Sequence, residues 1–238
     1  MSNPVELSIV LPAYNEAKRL PPSLETILEY FPKHYPDLSY EVVVVDDGST
    51  DGTARLAAGY GKPVRVHSVP HGGKGAAVKA GMLEARGVWV LLTDTDLSTP
   101  IQDFAKFWPE RKQYDVLIGS RALPEADITV RQSSVKVTLG RIGNKLIQWL
   151  AVSGIEDTQC GFKLYSKRCR MLFQKQQLRG WGFDFEILFL AKKFHFTMKE
   201  IPVTWKNDFA SKVRPSDYIK TFWELLSVRY HDILGHYR

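Results

Sequence analysis

Short apolar runs alternate with segments of helical periodicity over the first 120 residues. The runs are rich in Val, Ile and Leu and have the length of strands buried on both faces. Predicted strands cover residues 7–11, 41–45, 64–69, 88–92 and 116–118, and predicted helices cover 16–30, capped by Asn15, 53–59 and 73–86. Strands of this kind that alternate with helices predict an α/β fold with a doubly wound, mostly parallel sheet.

Beyond residue 120 the helical pattern dominates. We expect a loop over 124–129, a helix over 133–152, a turn and short strand over 157–165, a helix over 184–194 and a strand over 198–205. The tail, 217–234, predicts a helix with one apolar face: Ile219, Phe222, Trp223, Leu226, Tyr230, Ile233 and Leu234. The sequence thus predicts one α/β domain over 1–215 and an amphipathic helix over 216–238.

Composition narrows the class of protein. The chain has 238 residues, is 44% hydrophobic and contains only two cysteines, Cys160 and Cys169, which we expect to be reduced thiols. It shows no signal peptide pattern and no apolar run of ~20 residues, so we expect a cytoplasmic protein without a transmembrane helix.

The net charge of +6 is concentrated in residues 121–238. A basic C-terminal half suggests an anionic partner, either a phosphorylated substrate or an anionic membrane surface. The basic residues are scattered and match no nucleic-acid-binding module, so we expect no nucleic-acid partner.

Acidic residues follow three of the predicted strands. Asn15-Glu16, Asp46-Asp47 and Asp94-Thr95-Asp96 each come after a strand end. Parallel sheets bind ligands at the carboxyl ends of their strands, so we expect these residues to converge.

Two of these groups have distinct chemistry. Asp94 and Asp96 could share a divalent cation, Mg²⁺ or Mn²⁺, that also takes pyrophosphate oxygens, or they could simply stabilise a turn. Asp46 and Asp47 could accept hydrogen bonds from ribose hydroxyls or from a base, whereas the residues after them could cap the next helix.

The segment His71-Gly72-Gly73-Lys74-Gly75 is glycine-rich and precedes a predicted helix. It lacks the spacing of a P-loop, which excludes a P-loop NTPase. Lys74 at a helix start could still face a phosphate, although a flexible start to the helix is an equal alternative.

Several motifs in this order resemble glycosyltransferase family 2, the inverting nucleotide-sugar transferases of the GT-A fold. The family-wide motifs are LPAYNE at 11–16, VDDGSTDGT at 45–53 and DTD at 94–96. The match to the dolichyl-phosphate β-glucosyltransferase branch rests on GSRA at 119–122, DTQCGFKLY at 157–165, WGFDFE at 181–186, IPVTW at 201–205 and SKV at 211–213.

The resemblance implies a GT-A catalytic domain over 1–215 and a role for each matching residue. Nucleotide contacts would come from Pro12, Tyr14, Glu16, Asp46, Asp47, Lys74 and Thr95, and metal contacts from Asp94 and Asp96. Asp157, Gln159 and Arg121 would be catalytic, and Trp181 and Asp184 would line the donor-sugar pocket. Arg131 and Lys136 would help Arg121 bind the acceptor phosphate, and Ser211 and Lys212 would close over the diphosphate.

The resemblance also implies the reaction: transfer of a hexose from a nucleotide-sugar, with UDP-glucose favoured, to polyprenyl (dolichyl or undecaprenyl) phosphate at the cytoplasmic membrane face. UDP-GlcNAc or GDP-mannose as donor, a soluble saccharide as acceptor, and a non-catalytic nucleotide-sugar-binding module remain alternatives. Asp157 could be a general base for a hydroxyl acceptor or a structural turn residue paired to Lys163. The tail helix could contact a membrane or pack on the core.

Overall fold

The computed structural model describes residues 4–129, 144–206 and 215–238 of the chain, with side chains from residue 220 in the last range. Four residues with predicted roles therefore lie outside the described part, namely Arg131, Lys136, Ser211 and Lys212. Residues 133–143 of the predicted helix 133–152 also lie outside it, and residues 144–150, here α5, are helical.

The predicted mostly parallel sheet is confirmed. It has seven strands in the order β3-β2-β1-β4-β7-β5-β8, and only β7 runs antiparallel to its neighbours. The strands are β1 (Leu7–Ala13), β2 (Tyr40–Asp46), β3 (Val64–Ser68), β4 (Trp89–Leu92), β5 (Val116–Ser120), β7 (Lys163–Ser166) and β8 (Met198–Pro202). Strands β1, β2, β4 and β5 are almost wholly buried, which accounts for their continuous apolar sequences.

Helices cover both faces of this sheet. They are α1 (Leu20–His34), α2 (Thr53–Ala58), α3 (Lys74–Glu84), α4 (Phe104–Phe107), α6 (Arg170–Lys175), α7 (Phe183–Lys193) and α8 (Pro215–Ile233). One apolar cluster lies between the sheet and α3, α6, α7 and α8, and a second lies between the sheet and α1 and α4. The predicted C-terminal helix is therefore present, and its Leu225 and Val228 join the first cluster.

Helix α1 begins four residues later than the sequence predicts. Asn15 does not cap it; the residue is left-handed, with φ 53°, and its side-chain oxygen accepts a hydrogen bond from the Thr50 N–H at 2.9 Å. Pro21 lies in the first turn of α1, where its missing N–H has no cost. Asn15 thus joins the loops after β1 and β2.

The predicted loop at 124–129 and the predicted strand at 198–205 also differ from the structure. Asp127–Ile128 forms a two-residue strand, β6, that pairs in parallel with β9 (Thr204–Trp205). The strand 198–205 is interrupted at the fully buried Val203, so that its end leaves the main sheet and pairs with β6.

Helix α3 packs through glycines as well as through apolar side chains. Its buried residues are Gly75, Ala77, Val78, Gly81 and Met82; of the apolar face that the sequence predicts, Ala77 is buried, whereas Ala76, Ala80 and Leu83 are partly buried. A Cβ at Gly81 would lie 2.5 Å from Val10 Cγ1, which shows how closely α3 approaches the sheet. This close packing brings the start of α3 to the ends of β1 and β2.

Two predictions from composition can be compared with the structure. Cys160 and Cys169 are both buried and form no disulfide. Within the described residues, no helix combines the length and apolar character that crossing a membrane requires.

Candidate active site

The predicted convergence of acidic strand ends is present in the sheet. Strand β1 lies between β2 and β4, and all three run parallel. Glu16, Asp47 and Asp94 therefore follow neighbouring strands at one edge. This edge is where an open α/β sheet binds its ligands.

Asp47 holds the glycine-rich segment in place. Its buried carboxylate accepts hydrogen bonds from the N–H groups of Gly72 at 2.8 Å and Gly73 at 3.0 Å, and it lies 2.9 Å from His71 Nδ1. Asp46 is also buried, and its Oδ1 accepts a hydrogen bond from the Ser49 N–H at 3.3 Å. The consecutive acids thus have separate partners, and Asp47 fixes the backbone that leads into α3.

The segment after β1 offers an aromatic surface and a buried acid. The ring of Tyr14 stacks on His71 with centroids 4.2 Å apart, and Tyr14 is 40% exposed. Glu16 is buried and receives two hydrogen bonds of 2.6 Å from Arg19. Pro12 is half-buried in β1, so Pro12, Tyr14 and Glu16 all lie at or just after the carboxyl end of this strand.

Asp94 is bound to Lys74, at the start of α3. Lys74 Nζ lies 2.7 Å from Asp94 Oδ1 and 5.0 Å from the centre of the Trp181 ring. Burial alone would raise the pKa of Asp94, but the Lys74 ammonium brings it below its usual value. Asp94 is therefore ionised at neutral pH, with a cation already beside one oxygen.

The other oxygen of Asp94 rests on a glycine. A Cβ added at Gly161 would lie 2.1 Å from Asp94 Oδ2, closer than any real contact. Gly161 belongs to the segment 157–165, which leads into β7 next to β4. A glycine at this position is thus required for Asp94 to hold its observed orientation.

Asp96 is less stable as an anion than Asp94. Burial raises the pKa of Asp96, and the charge of Asp94 raises it further. One Asp96 oxygen accepts a hydrogen bond from the Ser98 N–H at 2.9 Å, and the buried Thr95 is fixed through its carbonyl, which accepts from Ser23 Oγ at 2.6 Å. Two repelling carboxylates fit a divalent cation, which would remove the repulsion.

Protein ligands alone would not fill the coordination sphere of such a cation. In the described ranges, no group of three or more His, Cys, Asp or Glu side chains could hold a metal ion. The pair Asp94 and Asp96 would therefore leave several coordination positions for phosphate oxygens and water, as is usual for Mg²⁺.

Arg121, at the end of β5, forms an ion pair with Asp157. Its Nε and Nη2 donate to the two carboxylate oxygens at 2.7 and 2.9 Å, and its backbone N–H donates at 3.0 Å. Burial opposes ionisation of Asp157, but Arg121 brings its pKa below the usual value. Arg121 also lies close enough to contribute to the lowered pKa of Asp94. The backbone N–H of the exposed Gln159 donates to Asp157 at 3.3 Å.

The alternative pairing of Asp157 with Lys163 is wrong. The fully buried Lys163 forms an ion pair with Asp184, in the first turn of α7, and donates to the Cys160 carbonyl at 2.6 Å. The charge of Asp184 also helps Asp94 to raise the pKa of Lys74. The predicted role of Asp184 at the donor sugar stays a prediction.

Sequence reasoning missed several residues that build the site. Glu200 accepts hydrogen bonds from the N–H groups of Glu156 at 2.7 Å and Asp157 at 2.9 Å and so fixes the start of the 157–165 segment.

A cavity of about 540 Å³ lies beside Asp96, and Lys18, Arg19 and Lys206 are among its lining residues. Because Lys206 is far from Lys18 and Arg19 in the sequence, the sequence alone does not indicate that they line one cavity.

Helix α8 presents a second apolar face to solvent. Leu225 and Val228 are buried, whereas the predicted stripe is exposed from Phe222 onward, with Trp223 at 63% and Ile233 at 77%; the side chain of Ile219 lies outside the described part. The same stripe includes Phe222, Leu226, Tyr230 and Leu234. Large apolar side chains grouped in this way are uncommon on a protein surface without a binding role.

Two dolichyl-phosphate beta-glucosyltransferases resemble this chain over most of its length. The chain is 40% identical to a dolichyl-phosphate beta-glucosyltransferase of Trichomonas vaginalis over 94% of its own length and 73% of that protein. It is 38% identical to the dolichyl-phosphate beta-glucosyltransferase of Drosophila melanogaster, with coverage of 94% and 72%.

Solved structures share the fold at low sequence identity. Mannosyl-3-phosphoglycerate synthase from Rubrobacter xylanophilus superposes with a TM-score of 0.71 at 22% identity, over 97% of this chain and 75% of that one. Glucosyl-3-phosphoglycerate synthase from Mycobacterium tuberculosis, in complex with Mn²⁺, UDP and phosphoglyceric acid, gives a TM-score of 0.63 at 22% identity, over 94% and 78%. The sequence model of glycosyl transferase family 2 matches residues 8–170. The GT-A fold, the strand-end acids and this match agree, and the chain belongs to glycosyl transferase family 2.

Proposed function

We propose that this protein transfers glucose from UDP-glucose to a polyprenyl phosphate, dolichyl or undecaprenyl phosphate, with inversion, at the cytoplasmic face of a membrane. The observation that carries the proposal is a group of charged residues after the strand ends: Asp94, two residues before Asp96, pairs with Lys74 at 2.7 Å, and Arg121, paired with Asp157, helps to lower the pKa of Asp94. The names of the relatives support glucose as the sugar and a dolichyl phosphate as acceptor.

The donor would lie along the carboxyl ends of β1, β2 and β4. Tyr14, stacked on His71, offers an exposed ring face to a nucleobase, and Pro12, Glu16, Asp46 and Asp47 form the surrounding rim. Trp181 and Asp184 lie on the Lys74 side and would line the sugar pocket. The diphosphate would then reach Lys74 and the two aspartates after β4.

A divalent cation, Mg²⁺ or Mn²⁺, held by Asp94 and Asp96 would neutralise charge on the diphosphate. Lys74 lies beside the same carboxylates and would add a fixed positive charge there. We propose that Ser211 and Lys212 close over the diphosphate and that Arg131 and Lys136 contact the acceptor phosphate. All four residues lie outside the part of the chain that the structure describes.

The acceptor would need orientation more than deprotonation. A phosphate monoester is already anionic near neutral pH, so its oxygen can attack the anomeric carbon while the bond to the diphosphate oxygen breaks. Arg121 is held by Asp157 through its Nε and Nη2, which leaves its other edge to pair with phosphate oxygens. The lowered pKa of Asp157 favours this orienting role over that of a general base. Gln159 would lie by the sugar and the acceptor.

The exposed stripe of α8 would bring the site to the lipid. Trp223 and Tyr230 have an apolar body with a polar tip, which suits the interface between headgroups and acyl chains. The basic residues Lys220 and Arg229 are exposed on the same helix and would favour anionic lipids. We therefore propose peripheral membrane association through residues 216–238 beside a catalytic domain over 1–215.

A donor and acceptor screen tests the reaction directly. UDP-glucose, UDP-GlcNAc and GDP-mannose are each incubated with Mg²⁺ or Mn²⁺ and a short polyprenyl phosphate or a soluble saccharide, and products are read by mass. The proposal requires a glucosyl polyprenyl phosphate from UDP-glucose alone. Product only on the saccharide, or only from another donor, contradicts it, and donor binding without any product supports a non-catalytic module.

Membrane association is tested separately by flotation with anionic liposomes. Replacing Trp223 and Ile233 together by Ser should lower partitioning by about tenfold or more, since two exposed apolar side chains are removed. Leu56→Ser, at an exposed position on α2, is the matched control and should leave partitioning unchanged. Equal partitioning of the double variant and the wild type would contradict the role of α8.

A further inference from the structure

Helix α8 contacts the candidate active site through one acidic side chain. Glu224 precedes the buried Leu225, and its Oε2 accepts a hydrogen bond from the Gly182 N–H at 2.7 Å. Gly182 is the residue before the first turn of α7, an 11-residue helix. A carboxylate at a helix N-terminus is stabilised both by the hydrogen bond and by the helix dipole.

The segment 179–182 fits closely around this carboxylate. A Cβ at Gly180 would lie 2.1 Å from Glu224 Oε1, and one at Gly182 would lie 2.6 Å from Phe185 Cζ and 2.8 Å from Glu224 Oε2. Neither glycine has a left-handed backbone, so the space that Glu224 occupies explains the glycine at 180, and Glu224 together with Phe185 explains the one at 182. The Gly-Trp-Gly sequence at 180–182 therefore presents Trp181 between two contacts with α8.

The opposite side of the same segment rests on the start of α3. The Ala76 N–H donates to the Arg179 carbonyl at 3.2 Å. A Cβ at Gly73 would lie 2.8 Å from the Arg179 oxygen, and one at Gly75 would lie 2.8 Å from the Gly180 oxygen. Segment 179–182 is thus held between Glu224 and the turn of α3 that carries Lys74.

These contacts form a continuous connection from α8 to the acid after β4. From Glu224 the connection runs through Gly182 to Trp181, whose ring lies 5.0 Å from Lys74 Nζ. Lys74 in turn lies 2.7 Å from Asp94. We infer that Glu224 is a positioning residue for the donor sugar: it holds Trp181 in the geometry that the sugar pocket requires.

This inference rests on the proposed function, because it takes Trp181 as part of the donor-sugar pocket. It also gives the exposed helix a second role, since the side chain that positions Trp181 belongs to the helix proposed to contact lipid. A purely structural Glu224 would affect all ligands equally through stability. A positioning residue would lower the affinity for the sugar-bearing donor and leave the affinity for the nucleotide unchanged, because the nucleotide is proposed to bind at the ends of β1 and β2.

Calorimetric titration of the full chain with UDP and with UDP-glucose, in Mn²⁺ and without acceptor, separates these roles. Glu224→Ala should weaken UDP-glucose about tenfold, as expected for one lost charge-assisted hydrogen bond, and change UDP by less than about twofold. Glu224→Gln keeps an oxygen for the Gly182 N–H and should restore most of the UDP-glucose affinity. Ser227→Ala, a small change one turn further along the same helix, is the matched control.

Equal weakening of UDP and UDP-glucose, or no weakening of either, would overturn the inference. If Glu224→Ala is too unstable to purify, Gly180→Ala perturbs the same contact from the other side and must show the same selective loss. Wild-type protein that binds UDP but does not favour UDP-glucose would contradict the proposed donor instead. Failure of the proposed function and failure of the positioning role are therefore distinct results.

Discussion

Gly161→Ala tests whether the orientation of Asp94 controls catalysis. The substitution adds a methyl group that would lie 2.1 Å from Asp94 Oδ2 and 2.7 Å from its Cγ. Ordinary contact begins at 3.4 Å, so the carboxylate oxygen must move by roughly 1 Å. That movement disturbs the 2.7 Å contact between Asp94 and Lys74. Gly161 does not have a left-handed backbone, so alanine adds no backbone strain.

The expected loss of activity follows from that displacement. A misplacement of about 1 Å at a reacting centre can cost about 10²-fold in rate. We therefore expect kcat/KM to fall about 100-fold, which corresponds to ~2.7 kcal/mol of transition-state stabilisation. Stability should change little, because the end of a short side chain can rotate away, and we expect a shift in Tm of only a few degrees.

The assay is glucosyl transfer to a short polyprenyl phosphate, together with Mn²⁺ affinity and Tm for each variant. Gly59→Ala is the matched control. Gly59 is exposed and has an ordinary backbone conformation, and a Cβ added there would lie no closer than 3.3 Å to any neighbour, the Leu56 carbonyl oxygen. Wild-type kcat/KM and Mn²⁺ affinity in a folded Gly161→Ala protein would mean that Asp94 tolerates displacement and that its orientation does not control catalysis.

Three further predictions concern other parts of the structure. Arg121→Lys keeps the charge but loses the fork that pairs with Asp157, so kcat/KM for the polyprenyl phosphate should fall by about 10- to 100-fold with UDP affinity unchanged by calorimetry. Burial and Asp94 raise the pKa of Asp96, and a cation binds the ionised form. As the pH falls, Mn²⁺ affinity, followed by electron paramagnetic resonance, should therefore begin to decline at a higher pH than it would at a site with an ordinary aspartate. Asp96→Asn should remove that dependence together with most of the binding; unchanged turnover would contradict a metal site here. Tyr237→Phe removes the 2.6 Å hydrogen bond to the buried Glu186, so urea unfolding should show a loss of about 1–3 kcal/mol, and no loss would mean that water replaces the hydroxyl.

The general position of the site follows from the sequence. Buried Val-rich strands identify a parallel sheet, and the rule that such sheets bind ligands at their carboxyl ends brings Glu16, Asp47 and Asp94 together. The apolar face of α8 is likewise visible in the spacing of its large side chains. Both features depend on local periodicity, which a single sequence contains.

The partners of these residues could not be predicted in the same way. The pairs Arg121–Asp157 and Lys163–Asp184 join segments that are distant in sequence, and a sequence gives no distances between them. Helix α3 packs through Gly75 and Gly81, which a search for apolar side chains overlooks although glycine permits the closest approach. Asn15 is of a residue type that often caps helices, but α1 begins at Leu20, with Pro21 in its first turn. Asn15 instead accepts a hydrogen bond from Thr50 and so connects the loops after β1 and β2.

A crystal structure with UDP and Mn²⁺, with the metal located by its anomalous scattering, would show where the cation and the diphosphate bind. We expect an Mn²⁺ peak within coordinating distance of Asp94 and Asp96, bound also to oxygens of the UDP diphosphate, with the uridine beside Tyr14. A nucleotide bound elsewhere, or a metal coordinated by neither aspartate, would contradict the proposed site.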